Sequence, residues 1–217
     1  MDWSQSLRLV APELLLSIAG LVLLLGSAWA KGDRDSRVIT WLAVAVLAGC
    51  AALVAPALWD GAHGAERLAF SGLYSADAFA AFAKLLIYAA AGASLLIAPA
   101  FFERVGAYRP EYPVLVLFAA MGMGIMVSAT NLLTLYIGLE LNSLAAYVLA
   151  AFLRTDDRSA EAGLKYFVLG SLASGILLFG ISLTYGFTGT IGFTGIASAL
   201  QGGLSTGAMF GLVFVLA

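Results

Sequence analysis

Six long runs of apolar residues recur along the chain, and none of them alternates with polar positions. They lie near residues 10–30, 38–58, 77–101, 112–129, 131–152 and 160–185. A helix needs about 20 residues to cross the roughly 30 Å of bilayer hydrocarbon, and each run approaches or exceeds that length. Backbone amides in lipid must be hydrogen-bonded internally, and long unalternating runs favour helices over a β-barrel. The pattern predicts an all-α, polytopic transmembrane helix bundle with six complete spans.

A seventh apolar run begins at Gly207 and continues for eleven residues to Ala217. Since a span needs about 20 residues, this run is the start of a helix rather than a whole one. We therefore expect a single membrane domain over residues 1–217, with six spans and a truncated seventh over 207–217. We also expect the chain to be the amino-terminal part of a longer protein.

Two connections between the runs have informative sequences. The fourth and fifth runs are separated only by "SATN", residues 128–131. So short a connection predicts a tight hairpin of antiparallel neighbouring helices. The segment 186–207 is uncharged and rich in glycine, which predicts a flexible turn.

Composition supports a membrane protein and excludes several classes of function. The chain is 62% hydrophobic and 11% charged, and its mean hydropathy is +0.97. A net charge of −2 leaves no basic patch for nucleic acid. The single histidine, His63, and the single cysteine, Cys50, cannot form a familiar metal-ligand set, so His63 is interpreted as a surface residue and Cys50 as a small buried hydrophobe. No glycine-rich segment fits a nicotinamide or flavin fingerprint.

Lysines and arginines are unevenly divided between the loops of the two predicted sides. Seven fall on one side and two on the other, namely Lys31, Arg34, Arg37, Arg104, Arg109, Arg154 and Arg158 against Arg8 and Arg67. Short loops that remain in the cytoplasm carry the excess of positive charge. The amino terminus is therefore predicted on the outer, periplasmic side of the membrane.

The first apolar run has a second interpretation. The sequence "SAWAK" at residues 27–31 resembles a signal-peptide cleavage site. Against this, Arg8 is the only basic residue that precedes the run, and Glu13 interrupts its start. Retention as a membrane anchor is the favoured interpretation.

Glu140 is the ionisable residue that lies deepest in any run, nine residues after Asn131 and fourteen before Arg154. A charge at mid-bilayer costs about 2.5–3.5 kcal/mol on insertion scales, and it usually faces a protein interior or a hydrated path for ions or protons. On a helix, Tyr136, Ser143 and Tyr147 share a face with Glu140 and form a possible polar path. The alternative is a protonated Glu140 that merely holds a neighbouring helix.

Lys165 and Lys84 are weaker candidates for proton translocation. Lys165 lies seven residues after Arg158, about 10 Å along a helix, and could reach the surface. It also follows Glu161 by four residues, so an interfacial ion pair explains both residues. Lys84 lies two helical turns after Asp77 in the third run, and its long side chain favours anchoring at the outer interface.

The residues from 131 to 189 closely resemble the subunit N family of the proton-pumping NADH:quinone oxidoreductase, respiratory complex I. The likeness combines "YIGLEL" at residues 136–141 with "EAGLKYFVLGS" at 161–171, and it extends more weakly through "DAFAAFAK" at 77–84. This antiporter-like family implies fourteen membrane helices with two inverted five-helix repeats, of which the chain looks like the first half. It also implies residence in the bacterial plasma membrane beside the other membrane-arm subunits.

The resemblance assigns roles to two residues. Glu140 matches a carboxylate of the fifth helix that takes part in proton translocation, and Lys165 matches a lysine of the sixth. The family's channel lysine in the seventh helix is expected beyond residue 217. Flavin, iron–sulfur clusters and quinone belong to partner subunits, so no cofactor is expected in this chain.

Three alternatives remain open at this point. The chain could be a subunit of a multicomponent sodium/proton antiporter or of a membrane-bound hydrogenase, since both belong to the same superfamily. It could also be a purely structural membrane-arm subunit, in which buried charges hold helices together while protons move elsewhere.

Overall fold

A computed structural model describes residues 3–30, 32–61, 68–203 and 205–216, and these are mostly helical. The helices are α1 (Trp3–Leu9), α2 (Ala11–Ser27), α3 (Asp33–Val54), α4 (Pro56–Gly61), α5 (Ala78–Val105), α6 (Glu111–Val127), α7 (Leu132–Ala150), α8 (Asp157–Thr188), α9 (Phe193–Gln201) and α10 (Thr206–Leu216). Each predicted apolar run overlaps with one of the longer helices. His63, Lys31 and Arg67 lie outside the described residues.

Several of these helices can cross a membrane by length and composition. Within the described residues there are four such segments: Arg34–Trp59, which joins α3 and α4, together with α5, α7 and α8. A fifth results if α1 and α2, which are bent by 69°, count as one span. The apolar helices α6 and α10 are shorter. The chain is thus a multi-pass membrane protein, while the count of six spans and the start of a seventh stays a prediction.

The segment 186–207 is not the flexible turn that its glycines predict. Helix α8 continues to Thr188 and ends at Gly189, which takes the left-handed conformation with φ 72°. Helix α9 then forms, and it buries Ile196 against Leu132 and Ile181. The prediction was wrong because burial of one apolar face stabilises a short helix that propensity alone does not favour.

A small ladder precedes α5 and was absent from the all-α prediction. Strand β1 (Leu68–Ala69) pairs antiparallel with β2 (Tyr74–Ser75). The backbone nitrogen of Ser75 then donates to the carbonyl of Ser128 at 2.8 Å, which ties the ladder to the end of α6. This contact places Tyr74 over one end of the helical bundle.

Four of the first six helices enclose the main hydrophobic core. Its members come from α2, α3, α5 and α6, and the fully buried ones include Leu16, Cys50, Leu95 and Leu117. Cys50 packs as a small hydrophobe, as predicted, and its thiol donates to the carbonyl of Pro12 at 3.5 Å. This core therefore holds four helices in one closed bundle.

Helices α6 and α7 form the predicted tight hairpin. The side chain of Asn131 caps α7 by accepting from the backbone nitrogen of Thr134 at 2.9 Å. A Cβ on Gly122 would lie 2.5 Å from the nitrogen of Asn142 and 2.6 Å from the carbonyl oxygen of Gly138. The two backbones are close enough that this position tolerates only glycine.

Helix α8 is less enclosed by neighbouring helices than the helices of this bundle are. It packs against α7 on one side and against α10 on another, where Gly180 and Thr184 meet the last helix. Large apolar side chains such as Leu164, Leu169 and Leu172 remain more than half exposed along it. The described part of the chain therefore consists of a closed bundle and an open pair of long helices.

Candidate functional site

Glu140 lies near the middle of α7, where the sequence predicts it. The residue is half-buried, and its Oε1 atom is buried without a hydrogen-bond partner among the described residues. Gly138 on the same helix faces α6, and Glu140 lies about 200° further round, so the carboxylate points away from that helix. Glu140 thus has no described partner that would fix it as a simple helix clamp.

The polar face of α7 lies toward α8. The hydroxyl groups of Tyr136 and Ser174 are hydrogen-bonded at 3.0 Å. Further along, the ring of Tyr147 packs against Tyr166 with centroids 4.8 Å apart. Ser143 lies between these contacts and is half-buried. Three of the four residues of the predicted stripe therefore flank Glu140 along the α7–α8 interface.

Lys165 is not brought to Glu140. It pairs with the Oε1 atom of Glu161 on the same helix, and the two side chains are 69% and 62% exposed. Ser174, which contacts α7, lies nine residues after Lys165, about half a turn of the helix away in angle. Lys165 therefore faces away from α7, and the predicted ion pair with Glu161 is confirmed.

Lys84 does not extend to the membrane surface, so the prediction of an interfacial anchor was wrong. Its side chain is 3% exposed, and its Nζ atom lies 2.5 Å from the Oε1 atom of Glu13. Both residues sit near the starts of their helices, α2 and α5, which lie at the same end of the bundle. The lysine points inward because the Glu13 carboxylate lies there, and their attraction offsets part of the free-energy cost of removing both charges from water.

Two tyrosines complete the surroundings of this ion pair. The Lys84 ammonium donates to the Tyr74 hydroxyl at 2.5 Å and lies 4.6 Å from the centre of that ring. Burial raises the pKa of Tyr74, which lies outside the spans, and the charge of Glu13 adds to the rise. Tyr88 lies one turn beyond Lys84 and is buried. The cluster is thus one cation, one anion and two neutral phenols.

Sequence reasoning missed Glu13, although a signal was available. Glu13 interrupts the first apolar run near its start, and Lys84 interrupts the third run about one helical turn deeper. If successive spans alternate in direction, the starts of the first and third spans lie at the same end of the bundle. Two opposite charges near the same end of parallel helices are a candidate pair, because the long lysine side chain can span one turn.

Metal binding finds no support in the described ranges. No group of three His, Cys, Asp or Glu residues among them is arranged to hold an ion.

Comparison with known proteins points to one family. The transmembrane model for the NADH:quinone oxidoreductase/Mrp antiporter family matches residues 129–217. Over 217 residues the chain is 61% identical to NADH-quinone oxidoreductase subunit N of Erythrobacter litoralis (strain HTCC2594), and it covers 44% of that protein. The chain therefore spans less than half the length of this curated relative.

Solved structures of membrane complexes contain chains with a similar fold. A chain of respiratory complex I from Thermus thermophilus with bound aureothin superposes with a TM-score of 0.74 at 27% identity, over 94% of this chain and 42% of that one. A chain of the archaeal membrane-bound sulfane sulfur reductase gives 0.73 at 20% identity, over 98% and 43%, which shows the fold alone. Residues 129–217 thus carry the transmembrane region of the NADH:quinone oxidoreductase/Mrp antiporter family, and over its whole length the chain is similar to subunit N of NADH-quinone oxidoreductase.

Proposed function

We propose that the chain acts in proton translocation as part of a membrane-arm subunit of NADH:quinone oxidoreductase, with quinone reduction carried out by other subunits. The observation that carries the proposal is Glu140, a carboxylate near the middle of α7 with one buried oxygen that has no described partner. Such a group is expensive in a membrane and is typical of proton or ion paths. The similarity to subunit N supports the coupling to NADH oxidation.

The surroundings of Glu140 suit proton exchange. Desolvation favours the neutral form of a carboxylic acid, whereas an approaching cation or hydration favours the charged form. A change in water content or in the position of a nearby lysine therefore makes such a group capture or release a proton. The hydroxyls of Tyr136 and Ser174, which are hydrogen-bonded beside it, offer further sites through which a proton can pass.

The rest of the proposal concerns location and partners. We place the chain in a bacterial plasma membrane, with its amino terminus on the periplasmic side, because the positive-inside rule favours that orientation. Its partners are the other membrane-arm subunits, the lipid bilayer and protons. Flavin, iron–sulfur clusters and quinone are assigned to partner subunits, and Lys165 is kept as a second candidate in the path.

Replacement of Glu140 by glutamine in the assembled complex tests the proposal. Proton pumping into proteoliposomes should fall by about an order of magnitude or more, because the variant keeps the shape but cannot ionise. The measurement is the rate of acidification per NADH oxidised, beside a measurement of assembly. Glu103→Gln serves as the matched control, since Glu103 lies near the end of α5 and pairs with Arg37 at the surface.

Normal pumping by an assembled Glu140→Gln complex would contradict the proposal. Loss of assembly in Glu140→Gln, with normal pumping by the fraction that still assembles, would favour a structural subunit. Co-purification with antiporter or hydrogenase subunits, in place of NADH dehydrogenase subunits, would favour the other members of the superfamily.

A further inference from the structure

A polar cluster lies inside the closed bundle, separate from the face of α7 that carries Glu140. Glu13 of α2 and Lys84 of α5 are its charged members, and each side chain is 3% exposed. The other titratable groups that face the pair come from the elements packed around it, and they are Tyr74, Asp77, Tyr88 and Cys50. Helix α6 brings no charge to the cluster and instead presents Gly124.

Two atoms of this cluster are buried with neither a hydrogen bond nor an ion pair among the described residues. They are Oε2 of Glu13 and the hydroxyl oxygen of Tyr88, for which the described residues supply no partner. A buried polar atom in this state bears the full cost of losing water, and folded proteins usually satisfy it with a bound water molecule. A buried water needs two to four polar partners, and these two atoms supply the minimum.

Gly124 lies beside both groups and leaves room there for a small substituent. A Cβ on this glycine would lie 3.4 Å from Oε1 of Glu13, 3.8 Å from the hydroxyl of Tyr88 and 3.9 Å from Cε of Lys84. These are ordinary contact distances for a methyl group, so the gap beside Gly124 is about one methyl group in size. The gap at Gly124 therefore faces the carboxylate and the phenol at the same time.

Two cavities approach the ion pair from different directions. One of about 80 Å³ is lined by the exposed Arg8, by Asp77 and by Lys84, so it joins the lysine to the end of the bundle. The other, of about 310 Å³, is lined by Glu13 and by Thr134 in the first turn of α7. Each charged member of the pair thus borders a different cavity.

A purely structural role does not explain these features. Apolar residues of similar volume often stabilise a protein as well as a buried ion pair does, since pairing rarely exceeds the desolvation cost by much. An ion pair that only holds two helices together also does not require an unpaired carboxylate oxygen, a gap beside Gly124 or a cavity that leads to the surface. Each of these features suits a hydrated site.

We propose that Glu13 and Lys84 form a second proton-exchanging site, which holds a water molecule beside Gly124. A proton that arrives through water in the cavity near Arg8 and Asp77 binds the Glu13 carboxylate and releases it from the Lys84 ammonium. Return of that proton to water restores the ion pair. The part of this inference that concerns pumping rests on the proposed function, whereas the hydration of the site does not.

Hydroxyl-radical footprinting of the assembled complex tests the hydration. Radicals formed from bound water label adjacent side chains, so Tyr88 should be labelled although it is 2% exposed. In Gly124→Ala the methyl group fills the gap, and labelling of Tyr88 should fall severalfold. Gly92→Ala is the matched control, because a Cβ at Gly92 meets nothing within 4 Å. Equal labelling of Tyr88 in all three proteins would overturn the water site.

Pumping by the same variants tests the exchange of protons. Gly124→Ala should pump severalfold more slowly than wild type, whereas Gly124→Ser should retain most of the rate because its hydroxyl replaces the water. The double variant Glu13→Gln with Lys84→Met removes the ionisable pair and should slow pumping at least as much as Gly124→Ala does. Normal pumping by an assembled double variant would overturn the inference.

Glu140→Gln separates the two proposals. If Glu140→Gln abolishes pumping while Gly124→Ala and the double variant of Glu13 and Lys84 pump normally, the second site is contradicted and the proposed function stands. If it pumps normally while the Gly124→Ala complex is slow, the role of Glu140 fails and the second site stands. Normal pumping by all of these variants would overturn both.

Discussion

Within the part of the chain that the structure describes, two Glu–Lys ion pairs lie in opposite surroundings. Glu13 and Lys84 come from different helices and are almost fully buried, whereas Glu161 and Lys165 lie one turn apart on α8 and are mostly exposed. Water screens the second pair, so its contribution to stability is small. In the first pair each charge depends on the other, because removal of one leaves its partner buried and without a counter-charge. A Glu–Lys ion pair therefore has a large effect on the protein only where both side chains are buried.

The surrounding helices differ in the same way. The closed bundle of α2, α3, α5 and α6 shares one hydrophobic core around the buried pair. Helix α8 packs against α7, but large apolar side chains along α8 remain exposed. A charge in the closed bundle must be satisfied by protein or bound water, whereas the carboxylate of Glu140 lies at the border of the open region.

The largest effect is expected from breaking the buried pair. Lys84→Met should lower the free energy of unfolding by about 3–5 kcal/mol, because it leaves Glu13 as an unpaired buried carboxylate. Addition of Glu13→Gln should restore most of that loss, since no uncompensated charge then remains. Detergent-induced unfolding of the two variants measures this difference. A double variant as unstable as Lys84→Met alone would contradict the strong coupling of the pair.

An intermediate effect is expected at the border between the two regions. Gly122→Ala should destabilise the protein by about 1–3 kcal/mol, because the added methyl overlaps the backbone of α7 at Gly138 and Asn142. The same unfolding measurement applies, with Gly175→Ala as the control, since a Cβ there meets nothing within 4 Å. Equal stability of the two variants would show that α6 and α7 pack less closely than described.

The smallest effect on stability is expected at the exposed pair. Lys165→Gln should change the free energy of unfolding by about 0–1 kcal/mol, because its partner Glu161 remains hydrated. A larger loss would mean that the pair is buried in the assembled complex, which would weaken the contrast with Glu13 and Lys84. Unchanged stability together with slower pumping would assign Lys165 to the proton path.

The local features of this fold were readable from the chain. Apolar runs predict helices because the lipid requires internal hydrogen bonds, and the short connection at residues 128–131 predicts the hairpin of α6 and α7. The pairing of Glu161 with Lys165 also depends only on their spacing. Helix α9 was not predicted from the sequence, because its stability depends on contacts of Ile196 with residues of other helices.

The sequence by itself determined a helical membrane protein with a carboxylate near the middle of α7, since hydrophobic length and helical spacing act over a few turns. Tertiary structure alone decided that Lys84 turns inward to Glu13, because no local pattern states which of two surfaces a long side chain will face. That choice depends on where distant helices place an opposite charge, and burial then makes the choice energetically important.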